Sequence, residues 1–309
     1  MSDLDRRLAD IAVGQHSLVT LADVVAAGGS AAHVKRRVDG GRWDHVASGV
    51  YRIGGTPWSY EAEVLASVFG AGDGAVASHR CAARLLGLGF AAAPMELSIP
   101  RGRHHRPPGV LVHQSTDLDR ATVQVVNGVP TTDPARTLLD LGRYIGPVPL
   151  RRAIEQARRL GLVDWSDLVR CLAAHARQGR HGIRRLRQVV GEGMVIEEVT
   201  DTDSELLGLT LIREHGLPDP VLHHRVRDDD GDLLAELDLA WPSRLAAIEI
   251  DGPIHLDREV RRHDDARDHE LRRRGWTIRR VWLDVPVLQP DVFVRLARDL
   301  LRDCPVLTS

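Results

Sequence analysis

Asp238, Glu249 and Asp251 stand in the stretch LDLAWPSRLAAIEID (237–251), inside what otherwise reads as two apolar strands and a turn, with Glu236 just ahead of it. If Ser243 and Arg244 make a two-residue turn, Asp238 lies across from Glu249, and Glu236 across from Asp251. Period two then sends Leu237, Leu239, Ile248 and Ile250 to one face and the four acids to the other. Opposed like charges destabilise a sheet, and crowded carboxylates take up protons unless a cation sits among them. Oxygen donors with no cysteine beside them suit a hard ion, Mg²⁺ or Mn²⁺. The plainer alternative is a row of acids on the solvated face of an edge hairpin.

The elements that must hold these acids are readable over the last 110 or so residues. TDTDSELLGLTLIREHG is a capped amphipathic helix ended by Gly216, and strand PVLHHRVR, an Asp-Gly turn, strand LLAELDLAW and strand LAAIEI follow. A charged helix over 256–274, stopped by Gly275, precedes strand WTIRRVWL and helix DVFVRLARDLL, so the order is αβββαβα.

Upstream, 3–12 and 20–27 read as short helices, the second capped by Thr20. Ser30 caps a third, AAHVKRRV, and a strand GVYRI follows. Helix, glycine turn, basic helix and β-hairpin is the order of a winged helix-turn-helix, whose second helix of the pair enters the major groove. His33, Lys35, Arg36 and Arg37 would then face DNA, with Arg42 and Arg52 flanking the wing; a solvated basic face is the alternative. Over 56–148 helical and strand signals alternate around the basic loop RGRHHRPPG, where Arg101, Arg103 and Arg106 either contact phosphate or are solvated. In GVPTTDPARTLLDLG, Asp133 caps a helix with Pro134 at its first position. Helical signals run on to 190, and glycines 179, 182, 191 and 193 place a domain boundary at 185–200.

Composition sets the outer bounds. A chain of 309 residues, 43% hydrophobic and 27% charged, is expected to form two soluble domains. No apolar run suits a membrane span and the N-terminus lacks a signal-peptide core, so a cytoplasmic location without membrane partners is expected. Cys81, Cys171 and Cys304 have neither metal spacing nor an even count and read as structural thiols. The net charge of −2 carries no global basic field, and Lys35 is the one lysine among 41 basic residues.

Two resemblances emerge from these motifs. Asp238, a turn, the strand carrying Glu249-Ile-Asp251-Gly and then His255 resemble the nuclease-like domain related to very-short-patch repair endonucleases, in the PD-(D/E)xK superfamily. The likeness covers 200–302 and continues through Asp264, Arg267, Asp268, Leu271, Gly275, Trp276 and Arg280. It implies a restriction-endonuclease-like αβββαβ core in which Asp238 and Glu249 hold metal and Glu205 of the first helix supplies a further acid. The superfamily's lysine position is Asp251 here, an aspartate that offers a ligand or proton acceptor but no positive charge. The resemblance gives His255 the part of general base or acid, and Arg267 that of either the missing cation or a partner for the acids. Glu236, Asp264, Asp268 and Arg280 are supporting residues.

The segment LVTLADVVAAGGS, with RRVDGGRWDHVASGVYRI, SHRCAARLLGL and GVPTTDPARTLLDLG, is similar to AbiEi-type antitoxins of type IV toxin-antitoxin systems. That likeness covers 5–175 and implies a DNA-binding winged helix joined to an α/β region. The expected architecture is therefore a two-domain α+β and α/β chain. A winged helix-turn-helix over 1–55 and a mixed antitoxin-like α/β region over 56–190 precede the nuclease-like domain over 195–309.

The expected function is a metal-dependent DNA endonuclease targeted by the winged helix, with Mg²⁺ or Mn²⁺ as cofactor and DNA as partner. The alternatives are a catalytically inactive antitoxin-like transcriptional regulator and a toxin held by its antitoxin in one chain. Homodimerisation, an additional toxin-antitoxin partner and an RNA substrate stay open.

Overall fold

The structure, a computed structural model, describes residues 3–55, 57–90, 94–104, 106–118, 123–194, 199–251 and 267–307. It forms two compact units, Met1–Val163 and Asp164–Ser309.

The first unit opens with α1 (Asp3–Val13), β1 (Leu18–Thr20), α2 (Leu21–Ala26), α3 (Ala31–Asp39), β2 (Trp43–Ala47) and β3 (Val50–Ile53). The three strands form an antiparallel sheet in the order β1-β3-β2. Leu8, Ala12, Val19, Val24, Val34 and Trp43 make its core. Thr20 caps α2 through a reciprocal capping box with Asp23. Ser30 stands at the N-cap of α3, but its hydroxyl bonds the His33 ring rather than the backbone.

The unit continues through α4 (Tyr60–Ala71), β4 (Val76–Ala77), α5 (His79–Leu85), β5 (Glu96–Pro100), β6 (Leu111–Ser115), β7 (Val123–Val126), β8 (Val129–Thr132), α6 (Pro134–Leu141) and α7 (Pro147–Arg159). Its five-stranded mixed sheet has the order β6-β5-β4-β8-β7. Asp133 caps α6 and Pro134 opens it. Residues 129–132, just ahead of the cap, pair as strand β8.

The second unit begins with α8 (Trp165–His175) and α9 (Ile183–Gly193) and continues with α10 (Asp201–Glu214), β9 (Val221–Arg227), β10 (Leu233–Trp241) and β11 (Ala246–Asp251). Helix α11, described over 267–273, then leads to β12 (Thr277–Trp282), α12 (Val285–Leu288) and α13 (Pro290–Asp303). The glycines near 185–200 do not separate the units. Helices α8 and α9 belong to the second unit: Ser166 of α8 bonds Asp203 at 3.2 Å, and Arg213 of α10 donates to the Ala173 carbonyl at 2.7 Å. The unit boundary accordingly falls between Val163 and Asp164.

The sheet of this unit has the order β12-β11-β10-β9, antiparallel except for the parallel β11–β12 pair. The β10–β11 connection is a 3₁₀ turn over Pro242–Arg244 followed by left-handed Leu245, longer than the two-residue turn expected. The register is nonetheless the expected one, with Leu239 opposite Ile248 and Trp241 opposite Ala246. One face packs Leu211, Ile212, Leu239, Trp241, Ile248, Ile250 and Phe293; a separate cluster gathers Ala235, Leu237, Ala247, Leu271 and Trp276.

Helix α10 lies close on the sheet because Gly208 carries no side chain. A Cβ there would stand 2.9 Å from the Phe293 ring and 3.2 Å from Leu239 Cδ1. The close approach brings Glu205, one turn earlier, down to the strands.

Candidate functional site

The site forms where the regular sheet fails. In the β9–β10 ladder Leu237 faces His224 and Leu239 faces Leu222, but the register skips His223 and Asp238 between them. His223 has φ +49°, the left-handed region that costs a non-glycine residue about 1–2 kcal/mol. A left-handed residue interrupts the strand's extended conformation, and with it the alternation of faces that a strand imposes. Leu222 and Leu239 therefore pack with the Ile248 cluster, while Leu237 joins the Trp276 cluster, with the His224 and Trp276 rings 5.6 Å apart. The expectation that Leu237 shares a face with Leu239, Ile248 and Ile250 fails for this reason, and the four acids do not make one row.

The acids divide into two groups. Glu205 of α10, His223 of β9 and Asp238 of β10 offer ligand atoms that all lie within 4.8 Å of one another, and this group could hold a metal ion. His223 Nε2 stands 3.2 Å from Glu205 Oε2, and His223 Nδ1 stands 3.8 Å from Glu236 Oε1. Glu236 in turn accepts from Arg225 Nε at 2.8 Å. Burial, with Asp238 as the next cause, pushes the Glu205 carboxyl up to about 7, against the partial opposition of His223. Burial also raises Asp238, although the Ile250 N–H donates to its Oδ2 at 2.8 Å.

Glu249 belongs to a different set. It is buried and accepts from Arg280 Nε at 2.8 Å and from Arg267 at 3.3 Å on each oxygen. Arg280 sits beside it in the parallel β11–β12 register, and buried Asp268 takes the other guanidinium nitrogens at 2.7 and 2.8 Å. Burial raises Glu249, with both arginines opposing. For Arg280, burial pulls downward, but hydrogen bonds to Asp268 and Glu249 outweigh it and the value is raised. Asp251 Oδ2 stands 3.8 Å from Arg280. Of the three ligands expected from sequence, Asp238 alone lies in the converging group; Arg267 pairs with an acid, and among the described residues Arg280 supplies the nearest cation to both Glu249 and Asp251.

His255 and Asp264 lie outside the described residues. Beside the arginines, a depression of about 350 Å³ is lined by Asp268, Arg272, Ile278, Arg279 and Arg280.

His223 was missed in the sequence, although a signal was present. A hairpin turn centred on Asp230-Gly231 sets His223 opposite Asp238. The histidine pair in PVLHHRVR thus points at the acid-bearing strand.

In the first unit, Lys35 and Arg36 of α3 and Arg42 after it are exposed. Lys35 pairs with Asp39 at 2.8 Å. Arg37 contradicts its expected role at DNA: it is buried, bonded to Asp5 of α1, with its guanidinium 5.2 Å from the Trp43 ring centre. Arg52 bonds Asp44 at 3.0 Å through Nε and lies over Trp58. His33 bonds Ser30. Arg101, Arg103 and Arg106 are exposed. Arg136 is buried at 2% exposure, where it bonds Asp140, Asp117 and Ser115. None of the three cysteines forms a disulfide among the described residues. Among the described residues no helix is long and apolar enough to cross a membrane.

No family model matches the chain, and no curated protein matches it. Among solved structures it is similar to the crystal structure of the RV2827C protein from Mycobacterium tuberculosis, with 13% identity over 74% of this chain and 89% of that one, at a TM-score of 0.41. A likeness that distant bears on neither the fold nor the chemistry of this chain.

Proposed function

We propose that the protein is a DNA-binding phosphodiesterase of the endonuclease type, working at a divalent metal held by Glu205, His223 and Asp238. The observation that carries this reading is the convergence of those three donor sets within 4.8 Å on a buried acid, at a break in an αβββαβ sheet. Two carboxylates and an imidazole make a donor set whose charge a divalent ion would balance, and Glu205 and Asp238, both raised chiefly by burial, are the acids that such an ion would hold ionised. Bound there, the ion would polarise a phosphodiester and lower the pKa of a water.

The chain's own groups supply the rest. The Ile250 N–H fixes the Asp238 carboxylate. Arg280, clamped by Asp268, places a fixed cation beside Glu249 and Asp251, and Arg272 and Arg279 line the adjoining depression with charge suited to phosphate. The element order and the resemblance of 200–302 to repair-endonuclease-like domains support the same assignment.

For the first unit we propose a winged helix, supported by its αβααββ order, with Lys35, Arg36 and Arg42 presented to DNA. The AbiEi-like segments point the same way.

Cleavage of supercoiled plasmid by the full chain, with Mg²⁺, with Mn²⁺ and with chelator, tests the reading beside Asp238→Asn. Metal-dependent nicking absent from the variant is the expected result; nicking that survives in Asp238→Asn refutes the site.

A second reading, an inactive DNA-binding regulator, draws on Glu249. Its carboxylate is engaged by two arginines, and Asp251 stands where the superfamily places lysine. DNA binding without cleavage under every metal condition is what that reading requires.

A further inference from the structure

His223 is the member of the site that an oxygen-donor nuclease centre does not call for, and its surroundings bear on which ion the centre takes. Resting on the metal reading above, we infer that the centre selects an imidazole-binding divalent transition ion, of which Mn²⁺ is the testable representative, over Mg²⁺, with His223 Nε2 as the nitrogen ligand and Glu236 orienting the ring.

Two observations place the ring in that role. Nε2 points into the group, 3.2 Å from Glu205 Oε2, so it occupies a donor position among the carboxylates. Nδ1, at the other end of the ring, faces Glu236 Oε1 at 3.8 Å, and Glu236 is itself held by Arg225 at 2.8 Å. At 3.8 Å Glu236 is within ion-pair reach of Nδ1 but beyond hydrogen-bond length; closing that gap would give the carboxylate contact that fixes the tautomer and orientation of metal-bound histidines and raises their basicity. The left-handed backbone at His223 turns the ring there, out of the alternation that the strand would impose.

The donor set then decides the ion. Mg²⁺ wants near-octahedral oxygen and gives up water reluctantly, so a nitrogen donor adds little to its binding. Imidazole suits the first-row transition ions, and the affinity of a mixed nitrogen and oxygen site rises from Mn²⁺ onward, so the nitrogen donor favours these ions over Mg²⁺, least strongly for Mn²⁺, which makes Mn²⁺ the most demanding probe.

The test is titration calorimetry of the full-length, chelator-stripped protein with Mn²⁺ and with Mg²⁺, supported by Mn²⁺ electron paramagnetic resonance for ¹⁴N coupling. Mn²⁺ avoids the surface histidines and thiols that Zn²⁺ would occupy. Three proteins are compared: the wild type, His223→Asn and Glu236→Gln. Asparagine tolerates the left-handed backbone and offers an oxygen, so the variant isolates the nitrogen; circular dichroism verifies its fold.

The wild type is expected to bind Mn²⁺ at least about tenfold tighter than Mg²⁺. His223→Asn should lose about tenfold or more for Mn²⁺ with little change for Mg²⁺, and Glu236→Gln about tenfold for Mn²⁺. Equal affinities in the wild type, an unchanged Mn²⁺ preference in folded His223→Asn, or no ¹⁴N coupling overturns the inference.

Nicking run in parallel separates it from the hydrolytic reading. Mn²⁺ selectivity without nicking keeps the inference and removes the nuclease. Nicking that the wild type performs equally well with Mn²⁺ and Mg²⁺, and that His223→Asn leaves unchanged with Mn²⁺, removes the inference and keeps the nuclease. Absence of all metal binding removes both.

Discussion

The Asp238 carboxylate accepts the Ile250 backbone N–H at 2.8 Å, just beyond the last pair of the β10–β11 ladder, Leu239 with Ile248. A side chain has taken the place of a ladder bond, so one residue both ends the strand pairing and joins Glu205 and His223 in the converging group. This dual role makes two substitutions separable. Asp238→Asn retains an acceptor for Ile250 and should fold with stability close to wild type, while metal binding falls to background. Asp238→Ala strands a buried N–H and should cost a further ~1–3 kcal/mol. Urea unfolding and Mn²⁺ titration of the pair are the measurements; equal stability of the two variants would show that the hydrogen bond is immaterial.

Arg280 holds two buried acids at once, Glu249 at 2.8 Å and Asp268 at 2.7 Å. Removing it with Arg280→Ala should destabilise the protein by about 1–3 kcal/mol, less than stranding a buried charge would cost, because Glu249 keeps Arg267 at 3.3 Å and Asp268 keeps Arg272 at 3.6 Å. Arg280→Lys should recover only part of this, since an ammonium cannot grip Asp268 with a planar fork. Denaturant midpoints of the three proteins decide it; a fully restored lysine variant would show that charge alone matters.

Arg36 and Arg37 are adjacent in sequence but differ in environment, the first exposed and the second buried against Asp5 and Trp43. Arg36→Ala should weaken binding to duplex DNA while leaving the fold intact, and flatten the salt dependence by about 0.9 for the one phosphate it no longer neutralises. Arg37→Ala should instead lower thermal stability. Binding isotherms at several salt concentrations, beside melting curves, would contradict the winged-helix proposal if Arg36→Ala left the salt slope unchanged.

Much of this arrangement was legible because it rests on local rules. The αβββαβα order follows from periodicity and glycine stops, and the register of Leu239 with Ile248 from the placement of the turn. The rules fail where the chain breaks them. Period two cannot anticipate a left-handed His223, so it assigns Leu237 to the wrong face and the acids to one row. Nor does sequence reveal that Glu249 is engaged by Arg267 and Arg280, because those hydrogen bonds join β11 to α11 and β12 across 18 and 31 residues. The unit boundary was misplaced for a related reason: glycines break helices, but tertiary packing decides to which core the helices belong.

Arg136, in the segment DPARTLLDL, is fully engaged by Asp140 at 3.0 Å and by Asp117 and Ser115 at 3.1 Å. The segment therefore has a structural use: its arginine ties α6 to the end of β6. Arg136→Met should cost about 3–5 kcal/mol, and Arg136→Met combined with Asp117→Asn and Asp140→Asn should cost less than the single change, since the two acids that Arg136 binds then carry no charge. A triple variant less stable than Arg136→Met would overturn this account.

His79 is buried with φ +52°, its ring stacked at 3.9 Å on His113 and its Nδ1 bonded to Ser78 at 2.9 Å. Burial first, then the charge of His113, Arg136, Arg143 and Arg80, pushes it from 6.5 down to about 2. The folded protein thus keeps this imidazole neutral, whereas the unfolded chain protonates it below 6.5. The unfolded state therefore binds the extra proton. The resulting stability is fully present above pH 6.5 and is lost as pH falls below it, at up to about 1.4 kcal/mol per pH unit. His79→Asn tolerates the same backbone but has nothing to titrate, so its stability should fall less steeply between pH 6.5 and about 4.5. Urea unfolding of both proteins across that range measures the difference in slope; parallel curves would mean that His79 is protonated in the folded state as readily as in the unfolded one.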